Sequence, residues 1–183
     1  MQTTIRPSKA GDVAAIAEIY GYHVLNGFAS FELLAPSADE IAKRRADVIG
    51  KSYPYLVAEA DGKVVGYAYV SQYRARPAYR HTLENSVYVH KDYAGRGVGK
   101  LLMNALIEAC EKVGCRQIIA VIGDSANQGS IKLHAACGFT PIGTMKAVGF
   151  KFGRWVDSVY MQRTIGEGDT TLPPERDVSG SRG

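Results

Sequence analysis

The chain reads as an α/β protein built on one mixed sheet flanked by helices, and three observations carry that reading. Runs of β-forming residues alternate with apolar residues at helical spacing. A two-residue hairpin signal, Asp61-Gly62, joins two of those runs, and a glycine cluster links an apolar strand to an amphipathic helix. The 183 residues, 46% apolar and 22% charged, suffice for one domain with a sizeable core.

Thr3, Thr4 and Ile5 open a short strand that Pro7 stops, and Val13, Ile16, Ala17, Tyr20 and Val24 then recur at helical spacing. A second helix spans 38–49, with Ser37 as its N-cap and Gly50 just past its end. Residues 53–60 and 63–73 make an antiparallel hairpin through Asp61-Gly62. Strand 81–90 follows, with Leu83, Asn85, Val87 and Val89 on one face and Glu84, Ser86, Tyr88 and His90 on the other. The next helix opens at Val98, turns Val98, Leu101, Leu102, Ala105, Ala109 and Val113 inward, and closes at Gly114. Residues 117–122 form a buried strand, and 127–137 form a helix with Gly138 at its C′ position. Phe139 onward returns to strands, the last holding Val156, Ser158, Tyr160 and Gln162. The resulting order is β-α-α-β-β-β-α-β-α-β-β. The domain is expected over 1–165, with 166–183, rich in Gly, Pro and Ser, as a disordered or loosely docked tail.

A formal charge of +4 with no long Lys/Arg run argues against a nucleic-acid partner. Arg74, Arg76, Arg80, Lys91, Arg96 and Lys100 gather locally, as a small anionic ligand or a solvated basic face requires. Cys110, Cys115 and Cys137 are odd in number and lie in apolar contexts, which points to reduced thiols in the cytoplasm. No zinc spacing is present, so no metal is expected; neither is export or a membrane span, since no signal-like segment or long apolar stretch occurs.

Gly95, Arg96, Gly97, Val98 and Gly99 place backbone amides where a helix N-terminus presents its positive dipole end, a setting that suits a diphosphate. The glycines keep Cβ atoms out of the way, and Arg96 and Lys100 add charge. A Walker A loop would need a hydroxyl after Lys100, where Leu101 stands. A dinucleotide fingerprint would need its third glycine one position later and an acid in the region of Ile118, Ile119 and Ala120.

Residues 94–99 instead resemble the Arg/Gln-x-x-Gly-x-Gly/Ala loop of the GNAT N-acetyltransferases, whose amides grip the pyrophosphate of coenzyme A; Ala94 replaces the usual leading Arg or Gln and removes one side-chain contact. Further segments are similar to the phosphinothricin and methionine sulfoximine/sulfone acetyltransferase branch of that family. They are Arg74-Ala75-Arg76-Pro77-Ala78-Tyr79, Glu84-Asn85-Ser86-Val87-Tyr88-Val89, Asn127-Gln128-Gly129-Ser130 with Leu133-His134, and Lys151-Phe152-Gly153-Arg154-Trp155-Val156-Asp157. The resemblance runs from about Ile5 to Gln162. It implies a mostly antiparallel central sheet, acetyl-CoA as cosubstrate, a homodimer, and transfer of the acetyl group to the α-amine of a small amino acid analogue.

The resemblance also implies roles. Glu84 is the general base, directly or through one water, or else a salt-bridged strand residue. Val87, Tyr88 and Val89 supply backbone donors to the thioester oxygen and the pantetheine. Asn127, beside Ser130, contacts pantetheine or is a plain N-cap. His134 assists proton transfer near the sulfur or is a satisfied core histidine. Arg76, with Arg74 nearby, holds the acceptor carboxylate, and Tyr79 and Tyr88 add hydroxyls. Phe28, Glu32, Val148 and Phe150 close over the amino acid or simply pack. Two other functions stay open: acetylation of a protein N-terminus or another amine, and non-catalytic acyl-CoA binding.

Overall fold

The computed structural model describes residues 2–173. Seven strands and four helices follow in the expected order. The first strand, β1, is Thr3–Pro7, and helices α1 (Val13–Asn26) and α2 (Ala38–Gly50) come next. Strands β2 (Tyr55–Ala60), β3 (Lys63–Gln72) and β4 (Thr82–Val89) lead to α3 (Val98–Lys112), β5 (Gln117–Gly123), α4 (Gln128–Ala136), β6 (Thr140–Lys151) and β7 (Arg154–Thr164). Three short 3-10 turns, Ala10–Asp12, Pro77–Tyr79 and Lys91–Tyr93, add to this order; single turns carry no periodicity by which a sequence could announce them.

Local signals act largely where the sequence places them, although Gly50 is the last residue of α2 rather than the residue past its end, and the left-handed turn that follows falls at Ser52, φ 60°. Ser37 Oγ accepts from the Glu40 amide at 3.2 Å and caps α2. Asp61 and Gly62, with φ of 51° and 73°, make the tight left-handed turn of the β2–β3 hairpin. Phe152 and Gly153, at 49° and 74°, make a second such turn between β6 and β7, one that the Phe-Gly pair does not advertise.

The sheet order is β1-β2-β3-β4-β5-β7-β6. Each neighbouring pair is antiparallel apart from β4 and β5, which run parallel. Period-2 alternation divides β2 between two cores: Leu56, Ala58 and Ala60 pack with α3, while Tyr55 and Val57 pack with α1 and α2. On α3 the buried stripe is Val98, Leu102, Met103, Leu106, Ile107 and Cys110, and Leu101 is 45% exposed. The expected inward face is therefore rotated. The helix is apolar around much of its girth, and the small Ala105 and Ala109 could not fill the space against the sheet that Leu106 and Cys110 occupy.

The β4–β5 pairing positions the site. It runs from Thr82↔Gln117 to Asn85↔Ala120 and then stops. Beyond it, residues 86–89 pair with β3 alone and residues 121–123 with β7 alone, so the sheet splits. Residues 166–173, the start of the expected tail, turn back over Arg116, which donates to Gly168 O at 3.3 Å and Thr171 Oγ1 at 3.1 Å. Residues 174–183 lie outside the described residues. Among the described residues no helix is long and apolar enough to cross a membrane, and no group of three or more His, Cys, Asp or Glu is placed to hold a metal.

Candidate active site

A cleft of about 710 Å³ opens where β4 and β5 part. One end reaches the glycine loop. Gly95 and Gly97 have φ of 75° and 82°, the left-handed region that glycine adopts without strain, and a Cβ on either would meet nothing within 4 Å. The space over them is thus open to a ligand, and the first amides of α3 lack intrahelical acceptors. Gly99 serves packing instead, since a Cβ there would stand 3.0 Å from Leu133; its absence lets α4 close on α3. Val98 is buried in the core and anchors the start of α3. Lys100 lines the cleft, whereas Arg96 lies outside that lining with its guanidinium 5.2 Å from the Tyr93 ring centre. These donors and the Cβ-free cradle fit a coenzyme A diphosphate.

The middle of the cleft holds the β4 residues. The Glu84 carboxyl is half-buried and, among the described residues, has no ion-pair partner. Burial raises its pKa above the usual carboxyl value. Val87, Tyr88 and Val89 line the cleft past the last β4–β5 pair, where the strand edge facing β5 is unpaired. The Tyr88 ring stacks on Tyr67 at 5.3 Å and meets Tyr20 edge-on at 5.0 Å, and burial holds its hydroxyl protonated.

The other wall comes from α4. Asn127 is the N-cap: its Oδ1 accepts from the Ser130 amide at 3.2 Å while the residue borders the cleft. His134 also borders it, only 3% exposed, with its ring edge-on to Phe139. The Ser130 carbonyl, 2.8 Å from Nδ1, can only accept, so Nδ1 carries the proton and Nε2 accepts from Asn85 Nδ2 at 3.0 Å. Burial lowers the His134 pKa and keeps the ring neutral. With both nitrogens engaged, this imidazole orients Asn85.

A strap between α1 and α2 covers the cleft, with Ala29, Ser30 and Phe31 in its wall. Phe28 packs outward on Phe152, and Glu32 is bound to the Tyr20 hydroxyl at 2.8 Å and to Arg44 at 2.5 Å. Val148 and Phe150, exposed on β6, line a separate apolar recess of about 530 Å³ that shares Phe31 and Val121 with the cleft. Arg74, Arg76 and Tyr79 stand outside the cleft lining on the β3–β4 connection, where Arg74 lies over the rings of Tyr73 and Tyr79 at 5.2 and 5.7 Å.

Sequence reading does not pick out Tyr20, His23, Ser30, Phe31, Tyr69 or Asn85, all of which line the cleft. Tyr20 and His23 share one face of α1, where His23 Nε2 donates to Val89 O at 2.8 Å, but the same spacing describes any core-facing stripe.

The acetyltransferase (GNAT) family model matches residues 19–139, more than half of the chain. A phosphinothricin N-acetyltransferase of Alcaligenes faecalis is 54% identical over 170 residues, covering 93% of this chain and 86% of the relative. An L-methionine sulfoximine/L-methionine sulfone acetyltransferase of Salmonella typhimurium is 40% identical, over 90% of this chain and 95% of its own length. Among solved structures, a phosphinothricin acetyltransferase of Sinorhizobium meliloti in complex with acetyl-CoA superposes with a TM-score of 0.92 at 47% identity, over 96% of this chain and 95% of that one.

Proposed function

The chain belongs to the acetyltransferase (GNAT) family, an acetyl-CoA-dependent N-acetyltransferase, and from that premise we propose that its acceptor is the α-amine of a small amino acid analogue. The acceptors suggested by the relatives' names are phosphinothricin, methionine sulfoximine and methionine sulfone. The observation that carries the reading is Glu84: a half-buried carboxyl with no cationic partner among the described residues, one step before the sheet splits.

Bound acetyl-CoA would supply the acetyl group as a thioester. An ammonium cannot attack a thioester, so a proton must first leave; Glu84 takes it, and the rise in its pKa on burial makes it a stronger base than an exposed carboxylate. Along β4 the backbone groups alternate, so the amides of Val87 and Val89 are the ones turned away from β3 and offered to the negative charge that develops on the carbonyl oxygen, with Tyr88 between them held in the β3 ladder. Gly95, Gly97, the first amides of α3 and Lys100 hold the diphosphate, with Arg96 adding charge at its margin, and Asn127 and Ser130 border the pantetheine arm. His134 acts by holding Asn85 in place. Arg76 and Arg74 are exposed cations for the acceptor carboxylate, with Tyr79 beside them; Val148 and Phe150 line the recess next to the cleft, and Phe28 and Glu32 belong to the strap that covers it. The apolar side chains along β6, including Ile142, Met145, Val148 and Phe150, fit burial against a second copy in a homodimer, and the buried free thiols fit the cytoplasm.

A thiol-release assay tests the acceptor. The panel is L-phosphinothricin, methionine sulfoximine, methionine sulfone, the common amino acids and short peptides. Turnover of the analogues with inert peptides supports the reading. Inert analogues with active peptides would place the acceptor on protein N-termini, and acetyl-CoA binding without any turnover would leave only a binding module.

A further inference from the structure

We propose that Lys151, at the tip of the β6–β7 hairpin, is a positioning residue that clamps the strap over the acceptor end of the cleft. Its ammonium is buried, with the residue 2% exposed, and Nζ donates to the Ser30 carbonyl at 2.7 Å, across 121 residues of sequence. Among the described residues no carboxylate lies within ion-pair distance of it; the Phe152 ring sits 4.9 Å away, and Glu32 opposes only at longer range the lowering of its pKa by burial. A cation kept out of water with so little compensation is costly, and a methylene chain of the same length would fill the space without that cost. What the ammonium adds is a strong, directional bond to the backbone of a segment that has no helix or strand of its own.

The same hairpin grips the strap twice more. Phe152 meets Phe28 edge-on at 5.5 Å, and the Arg154 guanidinium lies 3.9 Å from the Phe28 ring centre while also bonding Asp124. Glycines make the seat. A Cβ at Gly123 would overlap the Phe28 carbonyl oxygen, and one at Gly149 would overlap the Phe31 ring. On the inner side, Tyr20 Oη lies 2.9 Å from Ser30 Oγ. The strap is thus pinned from both sides at Ser30, between Ala29 and Phe31, the two neighbours that also form cleft wall. The glycine loop lies at the other end of the cleft and receives no support from Lys151.

The proposal rests on the acceptor reading above, and its test separates the two. Lys151→Met and Lys151→Gln, the latter keeping a donor without the charge, are compared with the native chain by steady-state kinetics and by hydrogen–deuterium exchange of residues 28–32. In Lys151→Met, strap exchange should quicken by about tenfold or more. Acceptor KM should rise by about tenfold, with acetyl-CoA KM held within about twofold. Lys151→Gln should fall between, and it carries the comparison if Lys151→Met does not fold. Unchanged strap exchange, or both KM values moving together, would overturn the proposal. If no amino acid analogue is turned over at all, the acceptor reading falls while strap exchange still decides the clamp.

Discussion

The two ends of the cleft are built by different means. At the cofactor end, the working parts are backbone: amides at the start of α3, left-handed glycines at 95 and 97, and a strand edge at residues 87–89. They come from one stretch of chain, so their spacing is visible in the sequence. At the proposed acceptor end, the parts are side chains brought from far apart: Lys151 on Ser30 and Arg154 on Phe28. Backbone at a helix start tolerates changes of neighbouring side chains, whereas a clamp of single contacts is sensitive to each one. The cofactor end should therefore respond to substitutions that alter φ, and the acceptor end to substitutions that remove a functional group.

Glu84 stands where the two ends meet, and its loss should have the largest effect. Glu84→Gln should lower kcat/KM by about 10²- to 10⁴-fold while leaving acetyl-CoA affinity unchanged by calorimetric titration. A fall in affinity of the same size would place Glu84 in the cofactor end and blur the comparison. Gly97→Ala comes next. Its Cβ meets open space, so the cost is the left-handed backbone at φ 82°, about 1–2 kcal/mol, and acetyl-CoA KM should rise about tenfold with acceptor KM little changed. The smallest effect is expected from Asn127→Ala, which removes the cap on the Ser130 amide. Thermal unfolding should show a loss of about 1 kcal/mol, and any additional rise in acetyl-CoA KM would assign the side chain a contact with the pantetheine arm.

The difference between the ends also explains what could be read from the chain alone. The element order, the Asp61-Gly62 turn and the Ser37 and Asn127 caps depend on neighbours in sequence. The inward face of α3 does not, since several stripes of that helix are apolar and the sheet selects among them. Glu84 can be named as a candidate from the family resemblance of its segment, but that its carboxyl has no ion-pair partner among the described residues is a property of the fold. Lys151 reads as an ordinary charged residue beside a turn until Ser30 is found against it. His134 shows the same limit: the family resemblance suggests proton transfer, while the Ser130 carbonyl and Asn85 amide that occupy its two nitrogens set its tautomer.

The claim that Glu84 is the base is tested most directly by the pH dependence of kcat/KM with methionine sulfone, measured on the native chain and on Glu84→Gln. Burial raises the Glu84 pKa, so the ionised base accumulates as pH rises through that raised value and is lost as pH falls through it. The native profile should show an acid limb with its midpoint above the usual carboxyl value, together with the limb of the acceptor amine. In Glu84→Gln the carboxyl limb should vanish and the amine limb remain; an unchanged acid limb in that variant would contradict the account.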